Sequence, residues 1–551
     1  MFDKKGIYYL PLGGADEIGL NTYVYAVDGR LLVVDVGYLF LNDDYPGIDL
    51  GLADASFLEE HQDKIDGLVI THAHEDHYGA IGHAWSKLKC PVYATAFTAG
   101  MIKERLKEYP IANEVPIHVV PKDGRLTIGN FDVEFCSLVH AVPETSAIIL
   151  RTPYGNIVHA TDWRFDDGLS PLLPTNFAGL EKIAAEGVLA LICNSTNIMV
   201  EKYQPSEKEV RDSLMELIPP IQGKGLVVTC FPSNLVRLES LILSAHEGGR
   251  TPVLVGKSLI RHMATAKDCG YFQDMPTYLE VGTDSDNIPK DKLMYICTGS
   301  QANYRSALTL IANKEHKYIK LESGDTVIFS SRAVEGGESK VEAMQEKIIA
   351  QGATVITKRT HLTHTTGHAN KPDVKRMYDI LKPQIVIPAH GEKSFILEHR
   401  DWALKCGVPQ AEIIKDSEVA LITSDGVQRV GCLPGDILGV DRKQLVSLQS
   451  KVIKNRTKLM YNCSVFISVV FGKNWALEDL QISSIDIIEE EAFEALTSEI
   501  KSRLEKEIPA ELAKSKFQER PITDYIRGVV RKTIENRTGI KPVTFMHFYK
   551  K

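Results

Sequence analysis

Residues 71–77 read Thr71-His72-Ala73-His74-Glu75-Asp76-His77. Imidazole and carboxylate are the natural ligands of zinc and its neighbours. The candidates His72, His74, Asp76 and His77 sit too close in sequence to face one way. An extended-to-turn segment sends His72 and His74 to one side. A helical turn beginning near Asp76 sends Asp76 and His77 to the other. One loop then serves two metal ions a few ångströms apart, an arrangement suited to hydrolysis. The competing reading is a solvated histidine-rich loop; its position directly after an apolar run argues for ligands.

The loop must be held by strands. Short apolar runs at 7–12, 21–27 and 31–36 are joined by Gly13-Gly14 and Asp28-Gly29, the second a strong hairpin signal. A helical pattern covers 54–64, a buried strand 67–71, and a helix begins at Gly79 and runs over 79–89. Strands are expected at 92–94, 117–120, 131–138, 146–151, 156–160 and 189–193. From 205 to 357 the texture changes. Short strands at 226–230, 252–255, 293–297 and 326–330 alternate with helical segments, the pattern of a parallel sheet with crossover helices. This reads as a second α/β domain inserted into the first. Strand-and-turn texture resumes over 376–446, with 385–388 leading into His390-Gly391-Glu392. The polar, basic stretch around Asp441-Arg442-Lys443 and 447–458 reads as a linker. A small α/β domain over 459–551 has a strand at 463–471, charged helices near 489–506 and 522–536, and a last strand at 542–548. There is no internal repeat or low-complexity tract.

The chain has 551 residues, too many for one core, with 44% apolar and 25% charged residues, as in ordinary globular proteins. Its 9 cysteines form no CxxC pair, which speaks for a reducing compartment. No signal-peptide segment follows Met1, and no apolar run suits a bilayer, so a cytoplasmic location is expected. The net charge of −9 lends no support to a simple nucleic-acid coat. It leaves room for a local basic groove, and bound metal adds positive charge.

The pattern HxHxDH resembles the signature of the metallo-β-lactamase superfamily. The later ligand motifs follow in order: His140 after the strand at 131–138, Asp162 in His159-Ala160-Thr161-Asp162, and His390 in Pro388-Ala389-His390-Gly391-Glu392. The resemblance implies an αββα sandwich. It also implies one metal held by His72, His74 and His140 and another held by Asp76, His77 and His390, with Asp162 bridging them. Between Asp162 and His390 lie about 225 residues, enough for a whole domain. An α/β domain at that place resembles the β-CASP nucleases, and among them the bacterial ribonuclease J family, over essentially the whole chain. Supporting motifs are Gly13-Gly14-Ala15-Asp16-Glu17-Ile18-Gly19, Asn194-Ser195-Thr196-Asn197, Phe231-Pro232-Ser233-Asn234, Thr298-Gly299-Ser300-Gln301 and His364-Thr365-Thr366-Gly367-His368. Small polar residues at strand ends present hydroxyls and backbone N–H groups to phosphate.

The resemblance implies a metal-dependent ribonuclease with 5′→3′ exonuclease and endonuclease activity. A hydroxide activated by two zinc ions, or manganese, would be the nucleophile. Asp76, His368 and Asn194 are the catalytic candidates. Ser233, Asn234, His364, Thr366, Gly367 and His368 are the RNA-binding candidates. Expected partners are RNA with a 5′-monophosphate, a second or further copies in a homodimer or homotetramer, and RNA-degradation proteins; no membrane is expected. An RNA-binding scaffold with little catalysis is the alternative, and the size of the insert disfavours a small-molecule hydrolase.

Several positions depart from the family pattern. Asn194 stands where an acid is usual. It can orient His368 but cannot stabilise its imidazolium, so His368 is expected to have a lower pKa. Thr366 replaces serine and Val236 a common histidine. Val334-Glu335-Gly336-Gly337-Glu338 and Ala302-Asn303-Tyr304 also differ. RNA-end preference or rate is expected to shift, with hydrolysis retained.

Overall fold

The computed structural model describes every residue except 1, 3, 169–173, 283, 335, 443, 486, 515 and 517, together with all described side chains but those of 284 and 286. Glu335 and Lys443, singled out in the sequence, lie outside the described residues.

Two large sheets form the first layer pair. In one, strands run in the order Gly426–Cys432, Glu418–Thr423, Ile7–Gly13, Thr22–Val27, Arg30–Val34, Ile65–Val69, Val92–Ala94 and Ile117–Val119. In the other the order is Gln410–Ala411, Ile385–Ala389, Ala190–Asn194, Gly155–His159, Ser146–Thr152, Phe131–Ser137 and Arg125–Ile128. Side chains alternate across each strand. Tyr9, Tyr23, Tyr25, Leu32 and Val34 therefore meet Phe131, Phe135, Ile148, Ile157 and Ile385 in one buried cluster between the sheets. The other face of the second sheet packs Ile149, Leu191 and Val386 against Leu180, Val374, Met377 and Phe395 of the helices Phe177–Glu186, Lys371–Leu381 and Lys393–Lys405. Burial on both faces explains why these strands read as continuous apolar runs. This is the expected metallo-β-lactamase sandwich with an inserted α/β domain.

The insert is a six-stranded sheet in the order Leu279–Glu280, Thr251–Val255, Leu293–Cys297, Leu226–Cys230, Thr326–Ser330 and Thr354–Ile356, parallel throughout. Leu226–Cys230 lies between Leu293–Cys297 and Thr326–Ser330. The segment after each of these three strands therefore emerges at the same, carboxyl-terminal end of the sheet.

The chain divides into two compact units, 1–39 with 52–435 and 40–51 with 436–551. In the second, the stretch expected as a linker over 447–458 forms the helix Lys451–Asn462 instead. Ser450 caps it by accepting from Ile453 N, and Ile453 is buried with Ile48 and Leu448. The strands Ser464–Phe471, Leu477–Ile485 and Val543–Lys550 form a sheet, with the helices Glu490–Lys514 and Glu519–Thr538 on one face. Leu477–Ile485 was not expected from sequence, and both helices run longer than their charged cores suggested.

The expectation of strands and turns over 376–446 missed two helices. Lys371–Leu381 begins with a capping box between Asn370 and Asp373 and a proline in its first turn. Lys393–Lys405 follows His390 directly. Among the described residues no helix is long and apolar enough to cross a membrane.

Candidate metal centre

The candidate ligands all come from segments that follow strands. His72 to His77 follow Ile65–Val69, His140 follows Phe131–Ser137, Asp162 follows Gly155–His159, and His390 follows Ile385–Ala389. The loop 74–79 is stitched to its neighbours through the backbone. Asn21 N donates to Asp76 O at 3.2 Å, Val36 N to His77 O at 2.7 Å and Tyr38 N to Glu75 O at 3.0 Å. A Cβ on Gly37 would lie 1.6 Å from Asp76 O, so only glycine permits this approach.

Two groups can each hold a metal ion: His72, His74, His140 and Asp162, and Asp76, His77, Asp162 and His390. In each, the facing ligand atoms lie within 4.8 Å of one another. His74 Nδ1 is 3.1 Å from both His72 Nε2 and His140 Nε2. Asp162 Oδ2 is 3.4 Å from His77 Nε2, and Asp76 Oδ2 is 3.3 Å from His390 Nε2. Asp162 alone belongs to both groups. The geometry brings all seven sequence-predicted ligands together. The donor set fits borderline divalent ions: three imidazoles with Asp162 around one position, and two carboxylates with two imidazoles around the other.

The electrostatics differ between the groups. Burial, then His77 and His74, pushes His72 well below its ordinary pKa. Burial and His140 push His74 down to about 3. At His77 and His390 burial acts the same way but is outweighed. Asp76, Asp162 and Asp35 lift His77 well above its usual value, and Asp162 and Asp76 lift His390 to about 9. The carboxyl groups of Asp76 and Asp162 are depressed by these histidines despite burial. An ion held by Asp76, His77, Asp162 and His390 would compete with the protons that these carboxylates favour on His77 and His390.

Behind the ligands is a layer the sequence did not reveal. Asp35, fully buried, accepts from His77 Nδ1 at 2.7 Å, from Thr71 N at 2.8 Å and from Thr71 Oγ1 at 2.8 Å. Thr71 Oγ1 also lies 3.0 Å from His72 Nδ1. Asp35, Thr161 and His390 all have positive φ, at 62°, 26° and 53°. Such strain in non-glycine residues collects at functional sites. Removing a partner of a metal-bound histidine typically costs 10–100-fold in affinity. Asp35→Asn is therefore expected to weaken one bound ion by about that factor, read by metal titration.

One strand-end motif of the insert and the segment returning from it reach the same place. Ser233 Oγ is 3.0 Å from His74 Nε2, and His140 Nδ1 donates to Gly367 O at 2.7 Å. His368 lies with its Nδ1 3.9 Å from Asp162 Oδ2, too far for a hydrogen bond. Burial pushes His368 down to about 3, with Asp162 acting in the opposite sense. Thr366 Oγ1 accepts from His368 N at 3.3 Å. His364 is half-buried, its Nδ1 3.5 Å from Arg237 Nη1.

Two expectations need correction. Asn194 was expected to orient His368, but its amide nitrogen donates to Asp162 Oδ1 at 2.6 Å and lies 2.7 Å from His390 Nδ1. The strand Ala190–Asn194 pairs in parallel with Ile385–Ala389, opposing Asn194 to Ala389, so His390 is its neighbour. Asn234 was expected on RNA, but it is 6% exposed. Its Oδ1 caps the helix Leu235–Glu247 by accepting from Arg237 N, and its amide donates to Glu207 at 3.2 Å. The sequence did carry a signal for this: an Asn directly before an apolar helical run reads first as a cap.

Residues 223–348 match the family described as Ribonuclease J, beta-CASP domain; 16–180 match the Metallo-beta-lactamase superfamily; 352–409 match the Zn-dependent metallo-hydrolase RNA specificity domain. A ribonuclease J of Sinorhizobium meliloti is 33% identical over 98% of this chain and 97% of its own length. The chain belongs to the ribonuclease J family. Similarity extends to the ribonuclease J of Helicobacter pylori, 28% identical over 99% of this chain and 80% of that protein. That of Mycobacterium tuberculosis is 34% identical over 74% of this chain and 73% of that protein. A crystal structure of a protein of unknown function from Enterococcus faecalis shares the fold, with a TM-score of 0.54 at 15% identity, covering 76% of this chain and all of that one.

Against the ribonuclease J pattern, the departures have visible surroundings. Val236, where a histidine is common, is buried against Val139 in an apolar contact. Ala302 takes a positive φ of 55° directly after Gln301, whose amide is spent on Arg332 O and Val334 N. Gly337 precedes the helix Glu338–Ile349.

Proposed function

We propose that the chain is a two-metal ribonuclease with 5′→3′ exonucleolytic and endonucleolytic activity in RNA processing and decay in the cytoplasm, acting on RNA with a 5′-monophosphate. One observation carries this reading: Asp162 is shared by two ligand groups, with Ser233 and the 364–368 segment facing the same groups. Two divalent ions held there, zinc or manganese, supply charge neutralisation and a water of lowered pKa. The match of 352–409 to a zinc-dependent family favours zinc.

The chain's own residues do the rest. Ser233, His364, Thr366 and Gly367 line the approach and hold phosphate through hydroxyl, ring and backbone groups. His368, beside Asp162, handles the proton of the leaving oxygen. Burial lowers its pKa, and an anionic phosphate beside it would act in the opposite sense. Asn194 positions Asp162 and His390.

The test compares 5′-monophosphate and 5′-triphosphate RNA of one sequence. The expected result is faster release of mononucleotides from the monophosphate end, together with internal cuts. Chelation or His77→Ala should abolish both. Intact RNA under metal-replete conditions would defeat the reading, and equal rates on the two ends would remove its 5′-end preference.

A further inference from the structure

His390 Nδ1 lies 2.7 Å from the Asn194 amide nitrogen; the other four candidate ligand histidines each have their outer ring nitrogen against a partner, and those partners come from different domains. His77 rests on Asp35 and His72 on Thr71, both within the sandwich. His74 rests on Ser233 of the insert, and His140 on the carbonyl of Gly367, in the segment returning from it. His74 and His140 belong to the same metal group.

Hydrogen-bond chemistry fixes what these partners do. A carbonyl only accepts, so His140 Nδ1 carries the proton and its Nε2 lone pair faces the ligand group. For His74 the inward atom is Nδ1; with Nδ1 given to a metal ion, Nε2 would carry the proton and the Ser233 hydroxyl would accept it. The tautomer and ring orientation of a ligand histidine set its basicity and aim.

The partners are held firmly. A Cβ on residue 367 would lie 2.7 Å from the His140 ring, so glycine is required at this contact. Two buried arginines grip the segment: Arg237 Nη1 donates to Thr363 O at 2.9 Å, and Arg164 Nη1 to Thr365 Oγ1 and Thr366 O, both at 2.8 Å. Ser233 lies directly before the capped helix Leu235–Glu247.

We infer that Ser233 and the Gly367 carbonyl are positioning groups for one metal ion only, so that retention of the ion at His72, His74 and His140 depends on how the inserted domain is seated, while the other ion depends on Asp35 and Asn194 of the sandwich. This rests on the two-metal reading above.

The test is a metal titration of the full-length apo-protein with Zn2+ against a chromophoric chelator, for the wild type, Ser233→Ala, Ser233→Thr and Asp35→Asn. Ser233→Ala is expected to weaken one ion by about 10–100-fold and leave the other unchanged. Ser233→Thr, which keeps the hydroxyl, should restore it. Asp35→Asn should weaken the other ion, and the double variant both. The melting temperature of apo Ser233→Ala should match that of the wild type. The inference is overturned if Ser233→Ala leaves both affinities within twofold, weakens both equally, or is not rescued by threonine. A wild type binding fewer than two ions would instead bring down the two-metal reading, and this inference with it.

Discussion

Asp162→Asn is expected to reduce RNA cleavage by about a thousandfold or more and to leave the protein with at most one bound ion. The substitution keeps size and shape, so its effect isolates charge. Asp162 is 1% exposed and faces four candidate ligand histidines: its oxygens are 3.1 Å from His390 Nδ1, 3.4 Å from His77 Nε2, 3.7 Å from His140 Nε2 and 3.8 Å from His72 Nε2. A carboxylate can bridge two cations through separate oxygens; an amide has one weakly donating oxygen and an NH2 that repels them. Losing several kcal/mol of charge stabilisation in the transition state corresponds to roughly three orders of magnitude in rate. The checks are single-turnover cleavage and metal content by mass spectrometry. A variant that kept two ions and a tenth of the rate would show that Asp162 is not a bridge. Asp35→Asn and Ser233→Ala should each disturb one ion, so the three variants together separate a shared ligand from one-sided support.

The ligands were legible in sequence because they are local. His72 to His77 occupy one loop, and His140, Asp162 and His390 each follow an apolar strand that periodicity reveals. What supports them was not legible. Asp35 follows the strand Arg30–Val34 and looks like any acidic turn residue; only the parallel pairing of that strand with Ile65–Val69 places it under Thr71 and His77. Ser233 reaches His74 across 159 positions and Gly367 reaches His140 across 227. Contacts of that span follow from how the inserted sheet seats on the sandwich, which composition and spacing do not encode. Asn194 shows the same limit from the other side. The motif was read correctly as a strand end, but its partner depended on register, and the pairing of Asn194 with Ala389 gave it His390 rather than His368. The helix Lys371–Leu381 is a different case: Asn370, Pro372 and Asp373 are a helix-start signature written in the sequence.

Arg237→Ala is expected to destabilise the fold by about 3–5 kcal/mol, the usual consequence of stranding one half of a buried ion pair. Arg237 is fully buried in the helix Leu235–Glu247. Its Nε and Nη2 meet Glu207 at 3.1 and 2.9 Å, and its Nη1 reaches Ser330 Oγ and Thr363 O, both at 2.9 Å. One guanidinium therefore ties together the start of the helix Glu207–Leu217, the end of the strand Thr326–Ser330 and the segment that carries His364 to His368. Lysine should not rescue, because a single ammonium cannot serve both Glu207 and the two oxygens on the other side. Stability and function should then separate in the double variant Arg237→Met with Glu207→Leu. Replacing a buried pair by apolar residues of similar volume is often neutral for stability, so denaturant midpoints should recover most of the loss. RNA cleavage should not recover fully, because Thr363 then keeps only its direct bonds to Ser330 Oγ and Phe329 O, and the 364–368 segment loses one of its two arginine anchors. A double variant with both wild-type stability and wild-type cleavage would show that the arginine serves the core alone.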